Sequence, residues 1–139
     1  MAIINTLDKC LDSPYLFRDE AAPARVPALL AQGDDQLGAA RDLLGGAKPD
    51  PTDVGILAYQ AMFAAIRALV YARGYREAGL KCLILACEGL YVRPGTLDAG
   101  QLVAFERVQG FKLGPAESVA AAADLLDRAR GLLAPAGRT

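Results

Sequence analysis

The sequence predicts an all-α fold, an up-and-down antiparallel bundle of about five helices. Three observations predict it. Apolar residues recur at helical spacing from one end of the chain to the other. Alternating strand patterns are nearly absent. The connections between periodic segments are short and marked by Gly or Pro, which favours neighbouring helices running in opposite directions. A chain of 139 residues is long enough for one helical core. Its 53% hydrophobic and 22% charged composition, with a net charge of −1, is that of a globular protein rather than a disordered one.

The elements follow in order. A short opening helix is expected at Ile3–Leu11, with Ile4, Leu7 and Leu11 on one face. "DSPYLFRDEAAPAR" then reads as a proline-marked connection. The first long helix spans about Pro27–Leu44, striped by Leu30, Leu37, Ala40 and Leu44 and ended by Gly45-Gly46. The second begins near "DPTD", where Asp50 or Thr52 can cap it and Pro51 suits an early position. It continues to Arg73, with Gly74 at its end. Two apolar stripes run along this helix, Val54-Leu57-Ala61-Ala65-Ala68-Ala72 and Ile56-Tyr59-Phe63-Ile66-Val70, which places it in the middle of the bundle. Tyr59, Phe63 and Phe111 are expected in the core. A third helix is expected over Glu77–Tyr91. A fourth, capped by Thr96, is expected over Leu97–Gly110, and a fifth over Pro115–Leu133. The chain thus divides into an N-terminal helix and connection (1–24), the bundle (25–134) and a tail (135–139).

Charge is unevenly spread. Residues 1–66 hold five Lys/Arg against nine Asp/Glu, and residues 67–112 hold seven against four. The middle of the chain is therefore where an anion is expected, with Arg73, Arg76 and Lys81 clustered after the second long helix. No basic stretch followed by a long apolar run opens the chain, so no secretory leader is expected. Residues 56–72 are short for a membrane span and would place Arg67 in hydrocarbon, which argues against a membrane role and for the cytoplasm. Cys10, Cys82 and Cys87 show no CxxC spacing and read as buried, reduced thiols.

The chain contains no histidine. It thus lacks the side chain best suited to proton transfer near neutral pH and the commonest metal ligand. No Cys or carboxylate cluster at metal-ligand spacing replaces it. A phosphate-binding lysine loop, a dinucleotide fingerprint and a nucleophile elbow are also missing. Neither a catalytic residue nor a metal or cofactor is expected.

What stands out is an arginine at the centre of a nearly apolar helix. In "LAYQAMFAAIRALVYARGY" the strip between the two apolar stripes holds Gln60, Ala64, Arg67 and Tyr71, which line up on one face. An arginine there holds a phosphate or carboxylate ligand, or pairs with a carboxylate from another helix such as Glu88 or Glu106.

Residues 57–71, "LAYQAMFAAIRALVY", resemble the signature helix of the HEPN family (higher eukaryotes and prokaryotes nucleotide-binding domain), through Tyr59, Ala61, Met62, Phe63, Ala65, Arg67, Ala68 and Leu69. "ARGYREAGLKCLI", "GLYVRPGTLD" and "FERVQGFKLGPAESVAAAADLLDRARGLL" resemble the family's following segments in the same order, so the resemblance covers about residues 27–134. It implies a homodimeric helical module that binds a nucleotide or RNA. It also implies a small nucleotidyltransferase as partner, in a system of the toxin–antitoxin type. The departures are specific. The usual signature-helix histidine falls at Ala64, and the family's Ser-His pair falls at Gly79 and Leu80. Ribonuclease members carry an arginine and a histidine separated by four to six residues; counted from Arg107, the histidine positions hold Lys112, Leu113 and Gly114 here. Lys112 can hold a phosphate but cannot replace an imidazole.

The expectation is thus a non-catalytic nucleotide- or RNA-binding module using Gln60, Arg67, Tyr71, Arg107 and Lys112. Two alternatives stand beside it. One is a ribonuclease in which Arg67, Arg107 and Lys112 stabilise charge without a histidine. The other is a ligand-free homodimeric scaffold joined through the spare apolar surface of the second long helix and Ile3, Ile4, Leu7, Tyr15 and Phe17.

Overall fold

Helix α3 (Pro51–Ala72) organises the molecule. The structure, a computed structural model, describes residues 3–134, and the tail predicted at 135–139 lies outside the described residues. In chain order the elements are α1 (Leu7–Leu11), strand β1 (Leu16–Arg18), a 3-10 turn (Ala22–Arg25), α2 (Val26–Leu44), α3, strand β2 (Tyr75–Glu77), α4 (Leu80–Cys87), a π-helical turn (Glu88–Val92), α5 (Ala99–Gln109) and α6 (Pro115–Leu132). The protein is mainly helical, as its periodicity predicts.

The start of α3 follows from local chemistry. Pro51 occupies the first turn, and the Asp50 carboxylate accepts from the Thr52 backbone N–H at 2.8 Å. Twelve of its residues, from Val54 to Tyr71, are buried. It packs against α2, α4, α5 and α6, which bury most of both apolar stripes, while Ile56 stays 40% exposed and Tyr59 and Phe63 are half-buried. The helix is long and apolar enough to cross a membrane, but 67% of its apolar window is buried within the protein. Helices α2 and α3 form an antiparallel pair across the Gly45–Asp50 turn. Gly33 lies against Ala61 and Ala64, and a β-carbon there would stand 2.7 Å from Leu126 of α6. The three helices approach closely at this point, and any larger residue at position 33 would have to push the Leu126 side chain aside.

The structure departs from the sequence reading in several places. The opening helix starts at Leu7 rather than Ile3. Tyr75–Glu77 form a strand, so the third helix starts at Leu80 and not at Glu77. Gly74, at φ 81°, turns the chain out of α3, and β2 pairs antiparallel with β1, with Leu16 opposite Glu77, Phe17 opposite Arg76 and Arg18 opposite Tyr75. Helix α5 is capped by Asp98, whose carboxylate accepts from Gly100 N–H at 2.9 Å; Thr96 instead donates its hydroxyl to the Tyr91 carbonyl. Phe111 is 58% exposed rather than in the core. Finally, Cys10 and Cys82 are not separate reduced thiols. They form a disulfide with Cα atoms 5.6 Å apart, joining α1 to α4 across 72 residues of sequence. The N-terminal segment is thereby tied to the bundle, and its Cys10, Leu16 and Ala22 belong to the common core.

Candidate functional site

The polar strip of α3 leads to two adjoining features. The first is a carboxylate. Glu77, at the end of β2, accepts from Arg67 Nε at 2.8 Å through one oxygen and from the Tyr71 hydroxyl at 2.5 Å through the other. Its side chain is 6% exposed, against 39% for Arg67. The Gly74 turn makes this possible, because it folds β2 back toward the last turns of α3. Burial pushes the Tyr71 phenol above its usual range, and the hydrogen bond to the Glu77 carboxylate adds to that. Tyr71 therefore stays protonated and donates.

The sequence reading offered Glu88 or Glu106 as the carboxylate for Arg67; the structure corrects this to Glu77. Glu88 lines a groove beside α4 and Glu106 lies on α5, both away from the strip. The sequence held one usable signal. Glu77 is the first acidic residue after α3, three positions beyond a glycine able to reverse the chain.

The second feature is a groove of about 160 Å³ between α2 and α3, lined by Gln32, Gln36, Tyr59, Gln60, Phe63, Ala64 and Arg67. Gln60 is exposed at its edge and Ala64 is buried. Arg67 lies over the Phe63 ring, 4.4 Å from its centroid. Tyr59 stacks on Phe105 of α5 at 5.1 Å, which fixes the aromatic wall. Burial also raises the Tyr59 phenol, with Arg67 opposing. Glu77 engages only the Nε edge of the guanidinium. Among the described residues the two terminal nitrogens carry no protein hydrogen bond. Gln36 Oε1 is buried and has no hydrogen-bond partner among the described residues. Gln36 and Gln32 were not anticipated, because nothing in the sequence alone sets the register of α2 against α3.

Arg107 and Lys112 do not join this site. Both are exposed, and with Val103 and Glu106 they surround a separate open cavity of about 430 Å³ at the end of α5. The five residues predicted from sequence thus fall into two groups: Gln60, Arg67 and Tyr71 on the α3 strip, and Arg107 with Lys112 elsewhere.

Acid–base and metal chemistry find little here. Cys87 is free, but burial pushes its thiol up to about 12, so it remains neutral. Among the described residues no three His, Cys, Asp or Glu side chains gather to hold a metal ion. Comparison with known protein families, curated proteins and solved structures finds no match to this chain.

Proposed function

We propose that the chain is a non-catalytic, HEPN-like binding module that takes the anionic end of a nucleotide or RNA in the α2–α3 groove. One observation carries the reading: a guanidinium held from behind by Glu77, its terminal nitrogens free of hydrogen bonds to the described residues. Arg67 is oriented in advance and offers a two-pronged donor to a phosphate. Gln36 and Gln60 supply donors and acceptors for a base or ribose. A groove of about 160 Å³ is smaller than the pockets that enclose whole ligands, so the phosphate or the base enters while the rest lies across the surface.

The ordered motif set of residues 27–134 supports the HEPN-like assignment and, through it, a nucleotidyltransferase partner in a toxin–antitoxin-type system. Binding is preferred to histidine-free cleavage because the chain has no histidine and burial raises the phenols of Tyr59 and Tyr71, away from neutrality. A cytoplasmic setting fits such a ligand.

The test is calorimetric titration with adenine and guanine nucleotides and a short single-stranded RNA at low salt. Arg67→Lys is expected to weaken binding by roughly 10- to 100-fold, through loss of the charged two-pronged contact. Arg107→Ala should leave it unchanged. Binding that survives Arg67→Lys and disappears in Arg107→Ala would transfer the site to the end of α5.

A further inference from the structure

The Cys10–Cys82 bond stands beyond one end of the β1–β2 ribbon, and Glu77 is the ribbon residue nearest to it along the chain. Glu77 pairs with Leu16 at that end of the ladder. Past this pair Ala78 N–H donates to the Tyr15 carbonyl at 2.8 Å, and the disulfide then closes the ring. The far end is held separately, by Asp19 N–H on the Gly74 carbonyl at 2.8 Å and by the ion pair of Asp19 with Arg76. A two-stranded ladder three residues long is marginal by itself. The covalent tie therefore bears most directly on the residue that holds Arg67 and Tyr71.

The bond is also placed to be exchanged. Cys10 is fully buried, but Cys82 reaches the wall of a groove of about 500 Å³, among Ile4, Tyr15, Gly79 and Lys81. Gly79 adds no side chain there, and Tyr15, half exposed, lies against it. Cys82 falls in the first turn of α4, where the Gly79 cap supplies no side-chain acceptor, and Lys81 is its neighbour. The helix N-terminus and the ammonium both favour negative charge on the Cys82 sulfur. Cys87 does not compete. It lies about 140° round α4 from Cys82, and burial keeps its thiol neutral. From within the chain only Cys10 can attack a mixed disulfide on Cys82, and that re-forms the original bond. Going forward takes a second thiol from outside, which a dithiol carries with it.

We propose that Cys10–Cys82 is a redox site for a dithiol reductant, and that opening it releases Glu77 from Arg67. One thiolate of the reductant attacks Cys82 Sγ through the groove. The S–S bond breaks, and its electron pair leaves on Cys10 Sγ, which takes a proton. The second thiolate then attacks the reductant's own sulfur in the mixed disulfide. Cys82 Sγ leaves with that electron pair, beside Lys81, and takes a proton. The reductant is oxidised to a disulfide and the chain gains two thiols. Disulfides in a reducing cytoplasm, the setting proposed above, are rare and usually redox-sensing or catalytic. With Glu77 released, Arg67 loses the support that orients it, so the oxidised chain is the tighter binder. This last consequence rests on the binding function proposed above; the exchange and the release of Glu77 do not.

Treatment of the full chain with dithiothreitol at neutral pH, without denaturant, tests it. Thiols counted by alkylation after a denaturing quench are expected to rise from one to three, with unchanged helical circular dichroism. Tyr15→Ala, which uncovers the groove, should speed the exchange, and Lys81→Glu should slow it, each by roughly three- to tenfold. The Arg67 Nε–H resonance, assigned with Arg67→Lys, reports on Glu77 without any ligand. It should be protected from solvent exchange in the oxidised chain and lose that protection on reduction. Affinity for the adenine and guanine nucleotides should fall at least about tenfold. A bond that resists dithiothreitol until the chain unfolds overturns the proposal. So does a reduction that melts the helices, or an Arg67 Nε–H equally protected in both states. Nucleotide binding that is equal in both states overturns the switch and leaves the binding function standing. An oxidised chain that binds no nucleotide removes the binding function alone, and the Arg67 resonance then decides the redox site.

Discussion

Two cationic regions differ in how the fold treats them. At the α3–β2 junction Arg67 is held by Glu77, backed by Phe63 and adjoined by a hydrogen-bonded tyrosine. At the end of α5, Arg107 and Lys112 stand in the open with no ion pair among the described residues. Both regions look alike in sequence, since each places basic residues in the positively charged middle of the chain. Only the first has an orienting carboxylate, and a fixed guanidinium loses less freedom on meeting an anion than a mobile one does. Net charge indicates where anions are attracted; a partnered cation shows where one can be held in a defined geometry.

The disulfide sharpens this contrast most. Cys10–Cys82 ties α1 to α4, the elements on either side of the β1–β2 ribbon that presents Glu77. Closing a loop of this length stabilises a fold by about 4 kcal/mol in the chain-entropy account. Urea unfolding with dithiothreitol should therefore occur at a clearly lower midpoint than without it. Hydrogen exchange in the reduced protein should quicken at residues 75–77 and stay unchanged near Arg107 and Lys112. Coincident urea midpoints would mean that the ribbon is held by packing alone.

The Glu77 carboxylate comes next. Glu77→Ala leaves the Tyr71 hydroxyl without its acceptor and frees the Arg67 Nε. The expected loss is about 2 kcal/mol, reduced from a fully buried value because Arg67 is partly solvated. Lys112→Ala should change stability by less than about 0.5 kcal/mol. The same urea titration compares them, and equal losses would remove the distinction between the two regions.

Much of the fold was legible because it depends on local chemistry. The two apolar stripes of α3, the Asp50-Pro51 start and the Gly74 end are all present in the structure. The strip of Gln60, Arg67 and Tyr71 was legible too, since helical spacing alone aligns it. What escaped depends on long-range pairing. The β1–β2 ribbon is only three residues a side, too short for alternation to show. The disulfide spans 72 residues, so no local spacing announces it. Gln36 reaches the site only through the packing of α2 on α3. Glu77 escaped because it belongs to that unforeseen ribbon. The choice between Glu77, Glu88 and Glu106 required knowing where the chain turned.

The smallest effect concerns the backbone at the end of α5. Its last turn closes with Phe111 N–H donating to the Val108 carbonyl at 3.1 Å and Lys112 N–H to the Arg107 carbonyl at 2.8 Å. That pattern places the residue after the cap in the left-handed region, where glycine is usual. Here the position holds Phe111, at φ 56°, while Gly110 one step earlier sits at φ −85° and gains nothing from being glycine. A side chain in that conformation costs about 1 kcal/mol. Phe111→Gly relieves it but gives up the ring's contact with Gly55, where a β-carbon would meet the ring at 3.3 Å. The two terms nearly offset, so a net stabilisation of about 0.5 kcal/mol is expected. Thermal unfolding resolves the sign. A rise means that the α5 corner is loosely built, in keeping with exposed Arg107 and Lys112. A clear fall would mean that the ring clamps α5 onto the start of α3. The corner would then be as deliberately positioned as the Glu77 cluster, and its two cations would regain standing as a site.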